Sequence, residues 1–312
     1  MLRGNEIPNA ASGKLQAFKQ WLEYQGSREK TIEGKLRLLQ IYLEWLNHNQ
    51  ITVEKITYSQ LMDYIGYLQK SGKSKRTINQ HLTASEQYHQ SLDIAFPAPE
   101  LRLRGIVKKV PETLTAEELE KVYQTFNPSK DNGYYYHTDK IILGLIIYQA
   151  LELRDIFLLE KEHLKLQEGK IYIPGRHNRE SRTLTLEAHQ IMPLYQYLNE
   201  TRPYFAENYS FNMKPAQPSE KLFIPQCDNL ERLTTQLKFL IKKVRSQTEK
   251  ENIKVKNLQQ LRQTRLTIWV KEHGLRKAQY MAGFKSISGI ERYKTQHLED
   301  LQKQLENYHP LR

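Results

Sequence analysis

The sequence predicts a mainly α-helical protein of two domains with one small antiparallel sheet. Three observations carry this expectation. From Lys14 to about Leu92, apolar residues recur at three- and four-residue intervals between polar turns, the period of helices that bury one face. The segment Phe96-Pro97-Ala98-Pro99 then stops regular structure, because proline lacks the amide donor and restricts the residue before it. In the second half, two short β-prone segments flank a polar turn among further helices.

Leu15, Phe18 and Leu22 mark the first helix; Leu36, Leu39, Ile41, Leu43 and Leu46 the second; Leu61, Ile65 and Leu68 the third. A fourth begins after Lys73-Ser74-Lys75-Arg76, which makes residues 1–100 a four-helix domain. Residues 101–111 form a basic, extended linker. The second domain, 112–312, opens with Thr115-Ala116-Glu117-Glu118 at capping-box spacing, with Leu114 and Leu119 placed as a hydrophobic staple. The apolar run from Ile141 to Tyr148 is too short to span a membrane and reads as a buried helix. Lys170–Pro174 and Arg182–Leu186 form a hairpin around the turn 175–181. Residues 194–198, 229–248 and 258–273 are expected to be helical, and 204–221 to form a surface loop.

Composition narrows the function classes. Among 312 residues, 47 Lys+Arg against 35 Asp+Glu leave a formal charge of +12, which makes a polyanion the leading partner and a merely basic protein the bland alternative. The single cysteine, Cys227, allows no internal disulfide and no thiolate cluster for a metal, so a reducing, cytoplasmic setting is expected. The polar start carries no secretory signal, and no apolar run is long enough to cross a membrane. Basic residues cluster before the fourth helix (Lys70, Lys73, Lys75, Arg76), in the linker (Arg102, Arg104, Lys108, Lys109) and along the segment from Lys238 to Arg245. A charge run is usually a solvated face; three of them favour contact with phosphates.

The last sixty residues carry the most specific pattern. Gln259-Gln260-Leu261-Arg262 opens a helix, Ala282-Gly283-Phe284 forms a turn, and Tyr293 follows nine residues after Phe284. This layout resembles the C-terminal signature of the tyrosine recombinases, the phage-integrase and Xer family. There a His-x-x-Arg helix, a Leu-Gly-His turn and a nucleophilic tyrosine stand in the same order. The resemblance extends over nearly the whole chain. It implies a SAM-like helical DNA-clamp domain followed by a catalytic-type α+β domain, and double-stranded DNA as partner. It also implies site-specific recombination or integration of a mobile element through a 3′-phosphotyrosyl intermediate, without metal or nucleotide cofactor.

By the same resemblance, Arg262 contacts the phosphate, Tyr293 attacks, and Arg176 takes the place of the family's general-acid lysine. Gln259 and Phe284 stand at the two histidine positions. Glu152 stands twenty-four residues before Arg176, where the family carries its first arginine. The pattern is therefore degenerate at Glu152 and Phe284. A phosphodiester under attack passes through a highly anionic transition state, so a charge reversal among the cations bears directly on catalysis. Arginine stabilises phosphate but its pKa, above about 12, makes it a poor proton donor. His177, beside Arg176, is the nearby group able to serve as acid.

Each residue has a plainer reading: Tyr293 as helix packing, Arg262 as a surface salt bridge, His177 as a solvated turn residue, Glu152 as a partner of Arg154, Arg176 or Arg262. Arg154 as a displaced substitute for the first arginine would point away from Glu152 on a helix. A silent DNA-binding relative with an accessory, architectural or regulatory role is thus the rival to an active recombinase. The tail stripe Leu298, Leu301 and Leu305 resembles the helix that family members dock onto a neighbouring protomer, which implies a homo-oligomer on DNA; docking on its own domain is the alternative.

Overall fold

The apolar stripes of the first hundred residues become four helices: α1 (Asn9–Tyr24), α2 (Glu29–His48), α3 (Tyr58–Lys70) and α4 (Lys75–Ser91). The structure, a computed structural model, describes residues 9–105, 112–128, 135–208, 220–224, 227 and 229–294. Side-chain oxygens set two of the helix starts. Thr57 accepts from Gln60 N while Gln60 reaches back to Thr57 N, and Ser74 accepts from Thr77 N, satisfying amides that the first turn leaves orphaned.

The core of this unit is apolar with a polar lining. Phe18, Leu39, Leu61, Leu68, Ile78 and Leu82 are buried beside Tyr42, Tyr64 and Tyr88. The Tyr42 hydroxyl lies 3.1 Å from His89 Nε2 and the Tyr64 hydroxyl 2.9 Å from His81 Nδ1, so buried polar tips find partners. Burial lowers the pKa of both histidines.

The chain divides into two compact units, Met1–Lys108 and Lys109–Arg312. Residues 101–105 lie outside regular structure but are not free. Leu101 and Leu103 pack on the first core, the Asn79 side chain brackets Leu103 with two hydrogen bonds, and Lys75 Nζ donates to Arg104 O. Residues 106–111 lie outside the described part.

The second unit builds on α5 (Ala116–Thr125) and α6 (Tyr135–Tyr148). Thr115 and Glu118 form the expected capping box, at 2.8 and 3.1 Å, and Leu119 is fully buried with Leu114 against the same core. Ile141–Ile147 is buried on every face, as its lack of a polar stripe requires. Then come α7 (Leu153–Leu158), β1 (Leu164–Lys165), β2 (Lys170–Ile173) and β3 (Arg182–Thr185) in an antiparallel sheet of order β1-β2-β3. Register pairs Lys170 with Thr185 and Ile173 with Arg182. The strand β1 is an addition to the expected hairpin; two residues are too few to show a period.

Four more helices follow: α8 (Ala188–Gln196), α9 (Arg202–Asn208), α10 (Leu230–Thr248) and α11 (Leu258–Ala282). Between α8 and α9, Tyr197–Thr201 is a π-helical turn just after Pro193. Residues 204–208 of the expected surface loop are helical instead, because α9 continues to Asn208, and residues 209–219 lie outside the described part. α11 is broken at Gly274, whose φ of 74° lies in the left-handed region, so its first segment ends at residue 273 as expected and a second helical segment continues to Ala282. No described helix is long and apolar enough to cross a membrane.

Candidate functional site

The site is assembled where the chain leaves α6. Ala150 turns it with φ +50°, an unfavourable left-handed value for a residue with a Cβ. Glu152 follows in extended conformation (φ −94°, ψ 161°) as the N-cap of α7. Placing Glu152 and Arg154 on one helix is therefore corrected: Glu152 precedes the helix and Arg154 sits in its first turn. The consequence for Arg154 is the same, since it is exposed while Glu152 is partly buried.

Cations reach Glu152 from two further elements. At the hairpin tip, Arg176 and Arg179 bond each other's backbone N–H and C=O at 2.8 Å, closing a two-residue loop, His177-Asn178. Directly opposed residues of an antiparallel pair project to the same face, so both guanidinium groups point at one place and would repel. The Glu152 carboxylate sits between them, paired with both. From α11, the guanidinium of Arg262 brings Nη2 to 3.0 Å from Glu152 Oε1, while its Nε donates to Ala150 O at 2.8 Å. The Nη2 hydrogens are not aligned on a protein acceptor, so this contact is an ion pair rather than a hydrogen bond.

A second carboxylate steadies the cluster. Asp155, fully buried, accepts from Arg176 Nε at 3.1 Å and from Arg182 Nη2 at 3.0 Å. Arg182 is equally buried and passes against Gly283, where a Cβ would stand 2.5 Å from Nη1. Gly283 also has φ +66°, so glycine is required there twice over. Phe284 stacks under Arg179, with the guanidinium carbon 3.9 Å from the ring centroid, and its other side packs on Gly289.

Residues 288–294 are helical and carry Tyr293, whose side chain is fully buried in the core of the unit. Arg292 Nη2 donates to the phenolic oxygen at 2.7 Å. Tyr293 lies near enough to Arg262 to act on its charge. Burial lowers the Arg262 pKa, against the pull of Glu152. Burial would raise the Glu152 pKa, but Arg262, Arg179 and Arg176 together outweigh it and hold the carboxyl at about 2. Four guanidinium groups against two carboxylates leave the cluster positive, an arrangement suited to an oxyanion.

The chain is similar to known proteins in sequence and in fold. The phage integrase N-terminal SAM-like domain matches residues 15–93. The XerD tyrosine recombinase of Staphylococcus epidermidis is 25% identical over 185 residues, 57% of this chain and 61% of that relative; the match thus spans about three fifths of the relative's length. The XerD of Staphylococcus aureus is 23% identical over 294 residues, 92% of this chain and 94% of the relative. The domain match and these relatives support the tyrosine recombinase family for this chain. The fold agrees: the XerH site-specific recombinase bound to a palindromic difH substrate superposes with TM-score 0.69 at 16% identity, covering 97% of this chain and 98% of that one. The Tn1549 transposon integrase in complex with a circular intermediate DNA gives 0.65 at 14% identity, covering 90% and 94%.

Within the second unit, the structure brings together Glu152, Arg176, Arg262, Phe284 and Tyr293. Gln259, one turn before Arg262, is exposed, and so is His177 at the hairpin tip. Sequence reasoning missed Arg179, Arg182, Asp155 and Arg292. A signal for Arg179 existed: reading the turn as the two-residue loop His177-Asn178 pairs it with Arg176.

In the first unit, Lys70, Lys73, Lys75, Arg76 and Arg104 are exposed. Arg102 instead turns onto Glu86, 2.7 Å away. Lys108 and Lys109 lie outside the described residues. A cationic groove of about 650 Å³ between α2 and α4, lined by Lys30, Lys35, Arg37, Arg76 and Asn79, was not anticipated; Lys30, Lys35 and Arg37 are spaced so that no charge run marks them. The basic face expected on α10 is corrected in part, since Lys243 pairs with buried Asp139 at 2.9 Å and Arg245 Nε donates to Val255 O. Of the described residues, Glu160, Glu162 and His163 have ligand atoms within 4.8 Å of one another. They sit in the turn before β1, and Nδ1 of His163 already accepts from Glu160 N.

Proposed function

We propose that this protein binds double-stranded DNA and performs site-specific recombination or integration of a mobile element, with Tyr293 as nucleophile. The observation that carries the reading is the convergence of Arg176, Arg179 and Arg262 on one carboxylate, with a buried, hydrogen-bonded tyrosine near enough to Arg262 to act on its charge. The phenolic oxygen attacks phosphorus, an O–P bond forms, and the bond from phosphorus to the 5′ oxygen breaks. The phenol loses a proton and the 5′ oxygen gains one; His177 is the candidate donor. The arginines stabilise the charge on the nonbridging oxygens. Attack requires the helical segment that carries Tyr293 to shift, because the side chain is enclosed.

The exposed Lys70, Lys73, Lys75, Arg76 and Arg104, with the groove between α2 and α4, would hold the DNA backbone. No metal or nucleotide enters this scheme. Assembly on paired sites would use the stripe Leu298, Leu301 and Leu305, which lies outside the described residues, and the setting would be the cytoplasm, on the nucleoid.

One observation favours a second reading, a catalytically silent DNA-binding relative: Glu152 occupies the guanidinium groups that a phosphate would need. Covalent trapping decides between them. After a gel shift with DNA from the ends flanking the gene, nicked duplexes are offered to wild type and Tyr293→Phe. An SDS-resistant adduct that disappears in the variant is expected. Tight binding with no adduct on any nicked strand would leave the silent relative.

A further inference from the structure

Glu152 is held unlike an ordinary structural carboxylate. Its two oxygens are shared by three arginines from two elements, Arg176 and Arg179 at the hairpin tip and Arg262 on α11. That is the coordination a phosphate's nonbridging oxygens attract. The surrounding guanidinium groups are not saturated: Arg262 Nη2, Arg179 Nε and Arg182 Nε are buried without an aligned acceptor among the described residues. The two carboxylates also differ in freedom. Asp155 is fully buried and locked by Arg182 and Arg176. Glu152 springs from an extended residue ahead of α7 and its side chain is 25% exposed, which gives it the path to solvent that Asp155 lacks.

We propose that Glu152 is a built-in competitor for phosphate: its carboxylate occupies the anion seat among Arg176, Arg179 and Arg262, and a phosphodiester enters only when that side chain swings out. Asp155 stays behind and keeps Arg176 and Arg182 in place. The device makes the seat closed to free anions and open only to a phosphate delivered by a larger bound surface, such as DNA already gripped elsewhere. This inference rests on the proposed function in one respect, that the arginine cluster receives a phosphate.

The test uses inorganic phosphate as probe at constant ionic strength, read by the phosphate-dependent rise in melting temperature and by calorimetry. Glu152→Gln keeps the shape and removes the charge. It is expected to bind phosphate on the order of tenfold to a hundredfold more tightly than wild type, the scale of one like charge at close range near a protein surface. The double variant Glu152→Gln with Arg262→Gln is expected to lose that gain. Glu152→Asp, with the carboxylate drawn back by one methylene, is expected to fall between, and it decides the matter if Glu152→Gln does not fold. Equal phosphate affinity in wild type and the Glu152 variants overturns the competitor and leaves the phosphate seat standing. Phosphate binding by none of them removes the seat itself, and the competitor with it.

Discussion

Glu152 and Ala150 show how much two residues set at this site. Because three arginines hold the Glu152 carboxyl at about 2, against 4.5 ordinarily, its ionised form favours the folded state, by on the order of 2–3 kcal/mol at neutral pH. A depressed carboxyl pKa gives stability that is complete above the unfolded value and vanishes as pH falls through the folded one. Glu152→Gln is therefore expected to unfold more easily than wild type at pH 7, with the difference shrinking from about pH 4.5 towards pH 2. Urea melts of both proteins across that range measure it, and a difference that stays constant would show that Glu152 is not held as an anion. At Ala150 the left-handed backbone costs about 1–2 kcal/mol, while glycine returns roughly 0.5–1 kcal/mol through its greater freedom when unfolded. Ala150→Gly is expected to raise stability by up to about 1 kcal/mol, visible as a higher melting temperature. The placing of Glu152 at the family's first-arginine position came from the resemblance, supported by its spacing to Arg176; its bond to Arg179 was not legible, because that contact depends on which hairpin residues oppose each other.

Elements locate the site through their ends. The N-terminus of α7 presents Glu152, the hairpin β2–β3 presents two arginines at its tip, and α11 lays Arg262 beneath them. The turn after α11 closes the arrangement, with Gly283 N donating to Tyr280 O and Glu180 N to Gly283 O. A side chain on Gly283 would meet both a positive φ and the Arg182 guanidinium. Gly283→Ala is expected to cost about 2–4 kcal/mol, combining left-handed strain with disturbance of the buried Arg182–Asp155 pair; chemical denaturation reports it, and a loss below about 0.5 kcal/mol would contradict the close approach. Helix existence was readable throughout, since apolar periodicity and caps such as Thr115 are local. The strand β1, the π-helical turn and the helical segment after Gly274 were not, because each answers to packing rather than to its own residues.

At the scale of the whole molecule, a formal charge of +12 makes ionic strength the natural lever on the proposed DNA binding. Each phosphate contact contributes roughly 0.9 to the slope of log affinity against log salt. Replacing Lys30, Lys35 and Arg37 of the α2–α4 groove by alanine is expected to flatten that slope by about 2 to 3 and to weaken binding to all sequences alike. Gel shifts at several salt concentrations provide the check; an unchanged slope would take the groove out of the DNA interface. The sequence by itself determined the helix-rich class, the break near the prolines, the order of the recombinase-like positions and the charge that favours a polyanion, because period, capping and net charge reside in neighbouring residues or in sums. Only the tertiary structure decided that Arg179 joins Arg176 and Arg262 around Glu152, that Asp155 and Arg182 brace them, and that Arg102, Lys243 and Arg245 spend their donors inside the protein. Such pairings link residues from distant stretches of chain, and what a long charged side chain reaches is settled by the surfaces folded around it.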